Sequence, residues 1–286
     1  MKKEQIYTGY TLSVDLDGTM LAPIDKLKIV PGQARKFLRR FVLGGGRLII
    51  STGRDLYFAT QVQKILGVPA DLNTANGAVI KLAKGEVIHN VYIKRNLLEE
   101  LEQKVLELAP STLFALKTTG KRTAMRLTDE NRKTSAEALK MFRKYLGSRA
   151  CHRGDYTSVA FDRALEYANG VFVHSFDREV MAKIAEVIDK DFAGRLKFCD
   201  GMIFEVVPFG EDKAKSLQTL VDYYKLDAKK LYVVGDDAND VASFEAFYDN
   251  SFCVKRSRNE EFCKAAKYTI ERFWDVENYL LKAISK

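Results

Sequence analysis

The sequence predicts an α/β protein: a parallel sheet covered by helices on both faces, interrupted by an inserted α+β segment. Three observations predict it. Up to Pro69, short apolar runs alternate with segments whose apolar residues recur at helical spacing, the pattern of βαβ units with right-handed crossovers. Three apolar runs end in polar, glycine-containing loops, at Asp15-Leu16-Asp17-Gly18-Thr19, Ser51-Thr52-Gly53-Arg54 and Gly235 to Asp240. After Ala78 the alternation gives way to turn-separated strands and helices, and it resumes near Phe204, as an α+β insertion would read. The chain has 286 residues, near the roughly 250 to 300 at which single cores stop growing. Two domains and one core with a large insertion both fit.

Thr11 to Asp15 reads as a short buried strand. A helix is predicted from about Pro31 to Leu43, with Pro31 suited to a first turn, Phe37, Leu38, Phe41 and Val42 at helical spacing, and Gly44-Gly45-Gly46 as the stop. Arg47 to Ile50 is a second strand. The helix after it carries Leu56, Ala59, Val62, Ile65 and Leu66 on one face and closes at Gly67 and Pro69. Ala78 to Leu82 and Val87 to Ile93 read as a hairpin around Ala83-Lys84-Gly85-Glu86. Within the insertion, helices are predicted near Leu97 to Leu108, Ser135 to Leu146 and Arg178 to Ile188, and strands near Ser158 to Phe161 and Gly170 to Phe176. Phe204 to Val207 is a returning strand, Lys213 to Tyr224 a helix, and Leu231 to Val234 a continuous apolar run suited to a central parallel strand. Ser251 to Val254 and helices near Glu260 to Lys267 and Asp275 to Lys282 complete the prediction.

Apolar residues make up 47% of the chain and charged residues 29%, which excludes a disordered or collagen-like chain. The net charge of +8 favours anionic ligands and leaves nucleic acid, acidic membrane surfaces and phosphorylated metabolites open. Met1 to Tyr10 has no apolar h-region, and no apolar run approaches the roughly 18 residues of a membrane span, so a cytoplasmic protein is expected. Cys151, Cys199, Cys253 and Cys263 form no CxxC pair. They are expected to be free thiols rather than a zinc site or disulfide framework. Cys151 beside His152 is not read as thiol catalysis, because neighbours in a strand face opposite sides.

Ligands of open α/β sheets bind outside the carboxyl ends of the strands, so the three polar loops are expected to converge on one crevice. Asp15 and Asp17 lie two apart across a tight turn, and Asp236 and Asp240 would face them. Such a cluster of carboxylates implies a hard divalent cation. Oxygen-only ligands suit Mg²⁺, which is usually held by one or two carboxylates together with substrate phosphate.

The run Asp15-Leu16-Asp17-Gly18-Thr19, followed in order by Thr52-Gly53-Arg54, Lys213 and Gly235-Asp236-Asp237-Ala238-Asn239-Asp240, resembles the haloacid dehalogenase superfamily of phosphatases. The insertion, preceded by Asn76-Gly77-Ala78, is similar in length and placement to the type-2 cap of the Cof-type subgroup. The resemblance implies a Rossmann-like core over residues 1–83 and 203–286 and a cap over 84–202. It implies that Asp15 attacks phosphorus to form an aspartyl phosphate, while Asp17 protonates the leaving alcohol and then activates water. It places Mg²⁺ on the carboxylates of Asp15 and Asp236 and the backbone carbonyl of Asp17, with Asp240 supporting that shell. Thr52, Gly53, Lys213 and Asn239 would hold the phosphate. Ser51 would point away if Thr52 faces the site, and Arg54 is left off the catalytic set.

Two stretches depart from the subgroup. Val254-Lys255-Arg256-Ser257-Arg258-Asn259 stands where Ala-Met-x-Asn-Ala is usual, and Asp237-Ala238 replaces a glycine-rich pair. The more basic loop leaves the substrate open, a polyanion included. The expected function is a Mg²⁺-dependent phosphomonoesterase for small phosphorylated metabolites, with sugar phosphates foremost. A phosphomutase or phosphotransferase on the same scaffold is the alternative. A non-enzymatic nucleic-acid binder is a further one, motivated by Lys255 to Arg258, Arg35-Lys36 and Lys121-Arg122. Lys117, Lys121, Arg122, Arg126 and His174 are candidate substrate contacts from the cap, with Lys84-Gly85 and Asp200-Gly201 as candidate hinges.

Overall fold

The computed structural model describes residues 5–21, 30–119, 124–134, 136–137, 140, 158–199, 204–257 and 259–285. Lys121, Arg122, Cys151, His152, Asp200, Gly201, Arg258 and most of the helix expected over Ser135 to Leu146 lie outside them.

Two sheets organise the chain. The first uses β1 (Thr11–Val14), β2 (Arg47–Ser51), β3 (Asp71–Thr74), β4 (Val79–Lys81) and β5 (Val87–Asn90). The second uses β6 (Leu113–Thr118), β7 (Ala124–Met125), β8 (Ala168–His174), β9 (Leu196–Cys199) and β10 (Glu205–Pro208). The chain then returns to the first sheet with β11 (Leu231–Gly235), β12 (Ser251–Val254) and β13 (Tyr268–Ile270).

The first sheet has the order β13-β12-β11-β1-β2-β3-β4-β5. Its strands run parallel from β13 to β3, and the β4–β5 hairpin adds the antiparallel edge. From β1 the chain winds outward through β2 and β3, and from β11 it winds the opposite way. The boundary between β1 and β11 is therefore the topological switch point, where such sheets open a crevice. Burial on both faces explains the unbroken apolar run of β11: Tyr232 and Val234 pack in one cluster with Phe37 and Phe41, while Leu231 and Val233 pack in another with Leu217 and Leu220. Helix Gly32–Leu43 follows Pro31 as its cap, and helix Leu56–Leu66 closes at the left-handed Gly67 (φ 66°).

The five-stranded sheet, β7-β6-β8-β10-β9, pairs antiparallel throughout. Helices Arg95–Leu108 and Arg178–Asp191 contribute Leu98, Leu101, Val105, Ile184 and Ile188 to one face.

Several expectations shift at the edges of the insertion. Lys84 and Gly85, a candidate hinge, form the turn of the β4–β5 hairpin within the first sheet, with Gly85 at φ +104°. Strand Val87–Asn90 thus stays with the first sheet, although it follows residue 84, and Glu205–Pro208 pairs within the second, although it follows residue 203. Ser158 to Phe161, expected as a strand, opens helix Ser158–Ala164. Phe161 and Ala164 within it and Leu165 just past its end are buried at helical, not alternating, spacing. The helix expected over Glu260 to Lys267 ends at Cys263, and Tyr268–Ile270 forms an edge strand beside β12.

Cys253 and Cys263, expected as free thiols, are joined by a disulfide. The short helix Glu260–Cys263 folds back on β12 and brings their Cα atoms to 5.1 Å, within bridging range; Cys199 is free. No helix among the described residues is long and apolar enough to cross a membrane.

Candidate active site

Asp15 continues β1 by one residue, its N–H donating to Val234 O of β11 at 2.9 Å, and is 5% exposed. The chain then turns sharply at Gly18, where φ is +85° and a Cβ would lie 2.0 Å from Asp236 Oδ2. Only glycine allows this loop to pass so close to the opposite carboxylate. Thr19 Oγ1 donates to Asp236 Oδ1 at 2.7 Å.

In the loop after β2, Thr52 is buried, and its Oγ1 accepts from the Arg54 N–H at 3.1 Å. Ser51 instead accepts from Asn73 Nδ2 at 3.0 Å, which engages it in the sheet interior. The Arg54 guanidinium forks onto the carboxylate of Asp17, with Nη2 to Oδ1 at 2.8 Å and Nε to Oδ2 at 2.5 Å. Burial opposes the charge of Arg54, but the Asp17 carboxylate outweighs it and holds the guanidinium above its ordinary pKa.

Lys213 opens helix Lys213–Tyr224 behind Asp212, which caps the helix through the Lys215 N–H. It is 1% exposed. Its Nζ donates to Asp15 Oδ1 at 2.8 Å, Asp240 Oδ1 at 2.8 Å and Asn239 Oδ1 at 3.1 Å. These three acceptors match the three protons of an ammonium. The loop after β11 supplies Asp236 and Asp240. Asp240 Oδ2 accepts from the N–H groups of Asp236 (3.0 Å) and Asp237 (3.2 Å), and Gly235 leaves room for it, since a Cβ there would meet Asp240 Cγ at 2.3 Å.

Asp15, Asp236 and Asp240 each offer an oxygen within 4.8 Å of the others, and all are buried. Burial pushes Asp15 well above the usual carboxylate range; Lys213 opposes the shift, and Asp240 and Asp236 add to it. Burial and then Asp240 push Asp236 up to about 7. For Lys213, burial favours deprotonation, but Asp15 and Asp240 outweigh it and raise its pKa. Two of the three carboxylates, Asp15 and Asp240, thus share one lysine, Asp236 has none, and the remaining negative charge suits a cation. Among the described residues, Asp15 Oδ2 and Asp236 Oδ2 accept no hydrogen bond, whereas both oxygens of Asp240 are engaged. This oxygen-only donor set fits a hard divalent ion.

The structure therefore brings Asp15, Lys213, Asp236, Asn239 and Asp240 into direct contact or into one carboxylate cluster. Asp17 joins through Arg54, and Thr52 through the Arg54 N–H. Gly53 lies against the Asn76 side chain, to which Asn239 Nδ2 donates at 3.0 Å. Sequence reasoning missed four contributors. Arg54 was set aside although it adjoins Thr52-Gly53. Arg256 reaches the carbonyl of Gly18, and Asn259 Nδ2 donates to Asp236 O at 2.7 Å and Val254 O at 2.9 Å. Glu205 approaches from the second sheet and accepts from Asn76 Nδ2 at 2.5 Å. Of the candidate cap contacts, Lys117 reaches the Gly53 carbonyl. Arg126 instead pairs with Glu102 and Asp162, and His174 packs edge-on against Phe176.

A doubly wound sheet with a buried acid cluster and a buried lysine at its switch point defines an α/β protein whose clustered carboxylates could hold a cation. The chain belongs to the haloacid dehalogenase-like hydrolases, whose family model matches residues 12–273. The 5-amino-6-(5-phospho-D-ribitylamino)uracil phosphatase of Bacillus subtilis is 22% identical over 250 residues, covering 82% of this chain and 84% of that protein. A Buchnera aphidicola protein is 37% identical over 97 residues, and a Mycoplasma capricolum protein 32% over 73; these matches span only 35% and 28% of those relatives' lengths. Solved structures share the fold. A haloacid dehalogenase-like hydrolase from Bacteroides thetaiotaomicron superposes with a TM-score of 0.73 at 18% identity, covering 96% of this chain and 98% of that one. A structure from Plasmodium vivax described as HAD/COF-like gives 0.75 at 21% identity, covering 96% and 95%.

Proposed function

We propose that the protein is a Mg²⁺-dependent phosphatase that cleaves small phosphorylated metabolites, sugar phosphates foremost, through an aspartyl phosphate on Asp15. The observation that carries this reading is the buried Lys213 ammonium shared between Asp15 and Asp240. It neutralises part of the nucleophile's charge and holds its carboxylate in place through one oxygen. Lys213 is also placed to receive charge on the transferred phosphoryl group, the term that dominates such reactions. Thr52, Gly53 and Asn239 complete the phosphate site. Asp17, once it has taken up a proton and left the Arg54 fork, gives that proton to the leaving oxygen, and as the carboxylate so formed it then takes a proton from the attacking water; Arg54 holds the resting carboxylate. Asp15 and Asp236 would hold Mg²⁺ together with the Asp17 carbonyl, and Asp240 would brace them. The ion supplies neutralisation of phosphate charge. The five-stranded sheet acts as the cap. The Bacillus subtilis relative's substrate, a phosphorylated ribityl compound, supports a polyol or sugar phosphate, and we place the protein in the cytoplasm.

The experiment is phosphate release from p-nitrophenyl phosphate and from a panel of phosphorylated sugars, nucleotides and vitamins. Release that requires Mg²⁺ and stops with chelator supports the reading. Loss of the sugar phosphate without free phosphate, in the presence of a sugar acceptor, would replace hydrolysis with phosphoryl transfer.

The shift of Asp236 gives a second expected result. Burial, with Asp240 beside it, holds its folded pKa at about 7, above the ordinary aspartate value of 3.8. Protonation of Asp236 therefore stabilises the metal-free fold at acid pH, and that contribution is lost as pH rises through about 7. An ion that replaces the proton must compete with it below that pH. The rise in melting temperature caused by Mg²⁺ is thus expected to be larger at pH 8 than at pH 5.5. Equal shifts at the two pH values would remove Asp236 from the metal site.

A further inference from the structure

Pairing register decides which residues of the second sheet face the crevice. Lys117 stands opposite Gly170, and Phe172 stands opposite both Ala115 and Glu205. Residues paired across a ladder share a face, so Lys117, Gly170, Phe172 and Glu205 lie on one side. Leu116, Val171, Val173 and Val206 lie on the other and form the interior of that unit with its helices. The side turned from the helices thus carries a buried ion pair, Lys117 Nζ to Glu205 Oε2 at 2.9 Å, with both side chains under a tenth exposed. Lys117 also lies 4.7 Å from the Phe172 ring centre.

This pair continues into the core. Glu205 Oε2 accepts from Asn76 Nδ2, Asn76 Oδ1 accepts from Asn239 Nδ2, and Asn239 Oδ1 accepts from Lys213 Nζ, which donates to Asp15. The two ends fix the direction of the chain. A carboxylate only accepts and an ammonium only donates, so each amide between them must turn its nitrogen toward Glu205 and its oxygen toward Lys213. Asn76 is buried and held in the left-handed region at φ 52°, a conformation that asparagine tolerates. Without Glu205 the amides lose the acceptor that orients them. Asn239 can then turn its NH₂ toward Lys213, which has no use for a second donor.

We infer that Glu205, a residue of the second sheet, is a positioning residue for phosphoryl transfer: it orients the Asn76 and Asn239 amides so that Lys213 is aimed at Asp15. The inference rests on the phosphatase reading. It makes the site fully ordered only when the second sheet is seated on the core.

The test compares two double variants that both remove the lysine of the ion pair. Lys117→Met/Glu205→Gln keeps an acceptor oxygen facing Asn76, and Lys117→Met/Glu205→Met has none. Replacing both members of a buried pair avoids an unpaired buried charge. With p-nitrophenyl phosphate and Mg²⁺, the variant that keeps the acceptor is expected to have a kcat about tenfold higher than the other, with KM values within about threefold. Asn76→Gly, which removes the link while suiting the left-handed backbone, is expected to lose kcat by a similar factor and serves if either double variant fails to fold. Equal kcat in the two double variants, or wild-type kcat in Asn76→Gly, overturns the inference. A wild-type protein that releases no phosphate from any ester overturns the phosphatase reading on which it rests.

Discussion

Asp15→Asn is expected to abolish phosphate release from every ester the wild-type protein cleaves, by at least about 10⁴-fold in kcat, while leaving the fold intact. The carboxamide has the shape of the carboxylate but not its nucleophilic oxygen. Its oxygen can still accept from Lys213 at the position Asp15 Oδ1 now occupies, 2.8 Å away. The effect on stability runs opposite to the effect on activity. Burial, with Asp240 and Asp236 nearby, holds Asp15 well above the ordinary carboxylate range. Its negative charge is therefore a cost to the metal-free fold above that pKa, and a neutral side chain relieves it. In the absence of divalent ions the variant is expected to melt no lower than wild type at pH 8. Its response to Mg²⁺ should shrink, because one of the two oxygens left without a donor has gone. A variant that kept wild-type turnover would remove Asp15 as nucleophile. One that lost turnover because it no longer folds would contradict the account of charge at this position.

The parts of this site that are legible in the sequence are local ones. Apolar runs ending in Asp15, Thr52 and Asp236 can be read as strands with their loops, because three or four adjacent residues carry both the strand and the chemistry. Lys213 is legible only through the resemblance, as the first residue of the helix predicted before the Asp236 strand. What is not legible depends on pairs distant in the chain. Glu205 meets Asn76 across 129 residues, and Arg256 meets Gly18 across 238; neither pair has a spacing that periodicity can reveal. The loop from Val254 to Asn259 shows the difference well. Its composition reads only as basic, yet its Asn259 amide ties Asp236 O to Val254 O, and Arg256 braces the turn that brings Gly18 against Asp236. The bond between Cys253 and Cys263 was illegible for a related reason, since it depends on a four-residue helix folding back onto β12. The short run Ser158 to Phe161 is ambiguous between strand and helix until Ala164 and Leu165 are included.

Lys213→Met should have the largest effect on the fold itself. The methionine fills much the same volume but leaves Asp15 and Asp240 buried, at 5% and 3% exposure, without the cation that now lies 2.8 Å from each. Breaking a buried pair by removing one partner costs about 3 to 5 kcal/mol, a large part of the roughly 5 to 15 kcal/mol that holds a domain folded. The lysine pKa is raised in the fold, so its contribution is fully present at pH 7 and is lost only at strongly alkaline pH. The stability lost in the variant is therefore carried by the stranded charge, and part of it should be regained as Asp15, whose pKa burial already raises, takes up a proton. The variant is expected to melt well below wild type at pH 8 in chelator, to recover part of the difference on acidification toward pH 5, and to recover part of it with Mg²⁺ at pH 8. Restored folding should not restore chemistry. Saturating Mg²⁺ should leave turnover lower by about 10² to 10³-fold, the scale of losing one fixed electrostatic contact to a developing charge. Thermal unfolding at the two pH values, with and without Mg²⁺, alongside kcat on p-nitrophenyl phosphate, separates the two roles. If the variant melts like wild type at pH 8 in chelator, Lys213 does not neutralise this cluster. If it turns over like wild type once folded, Lys213 stabilises the acid cluster without serving the transfer.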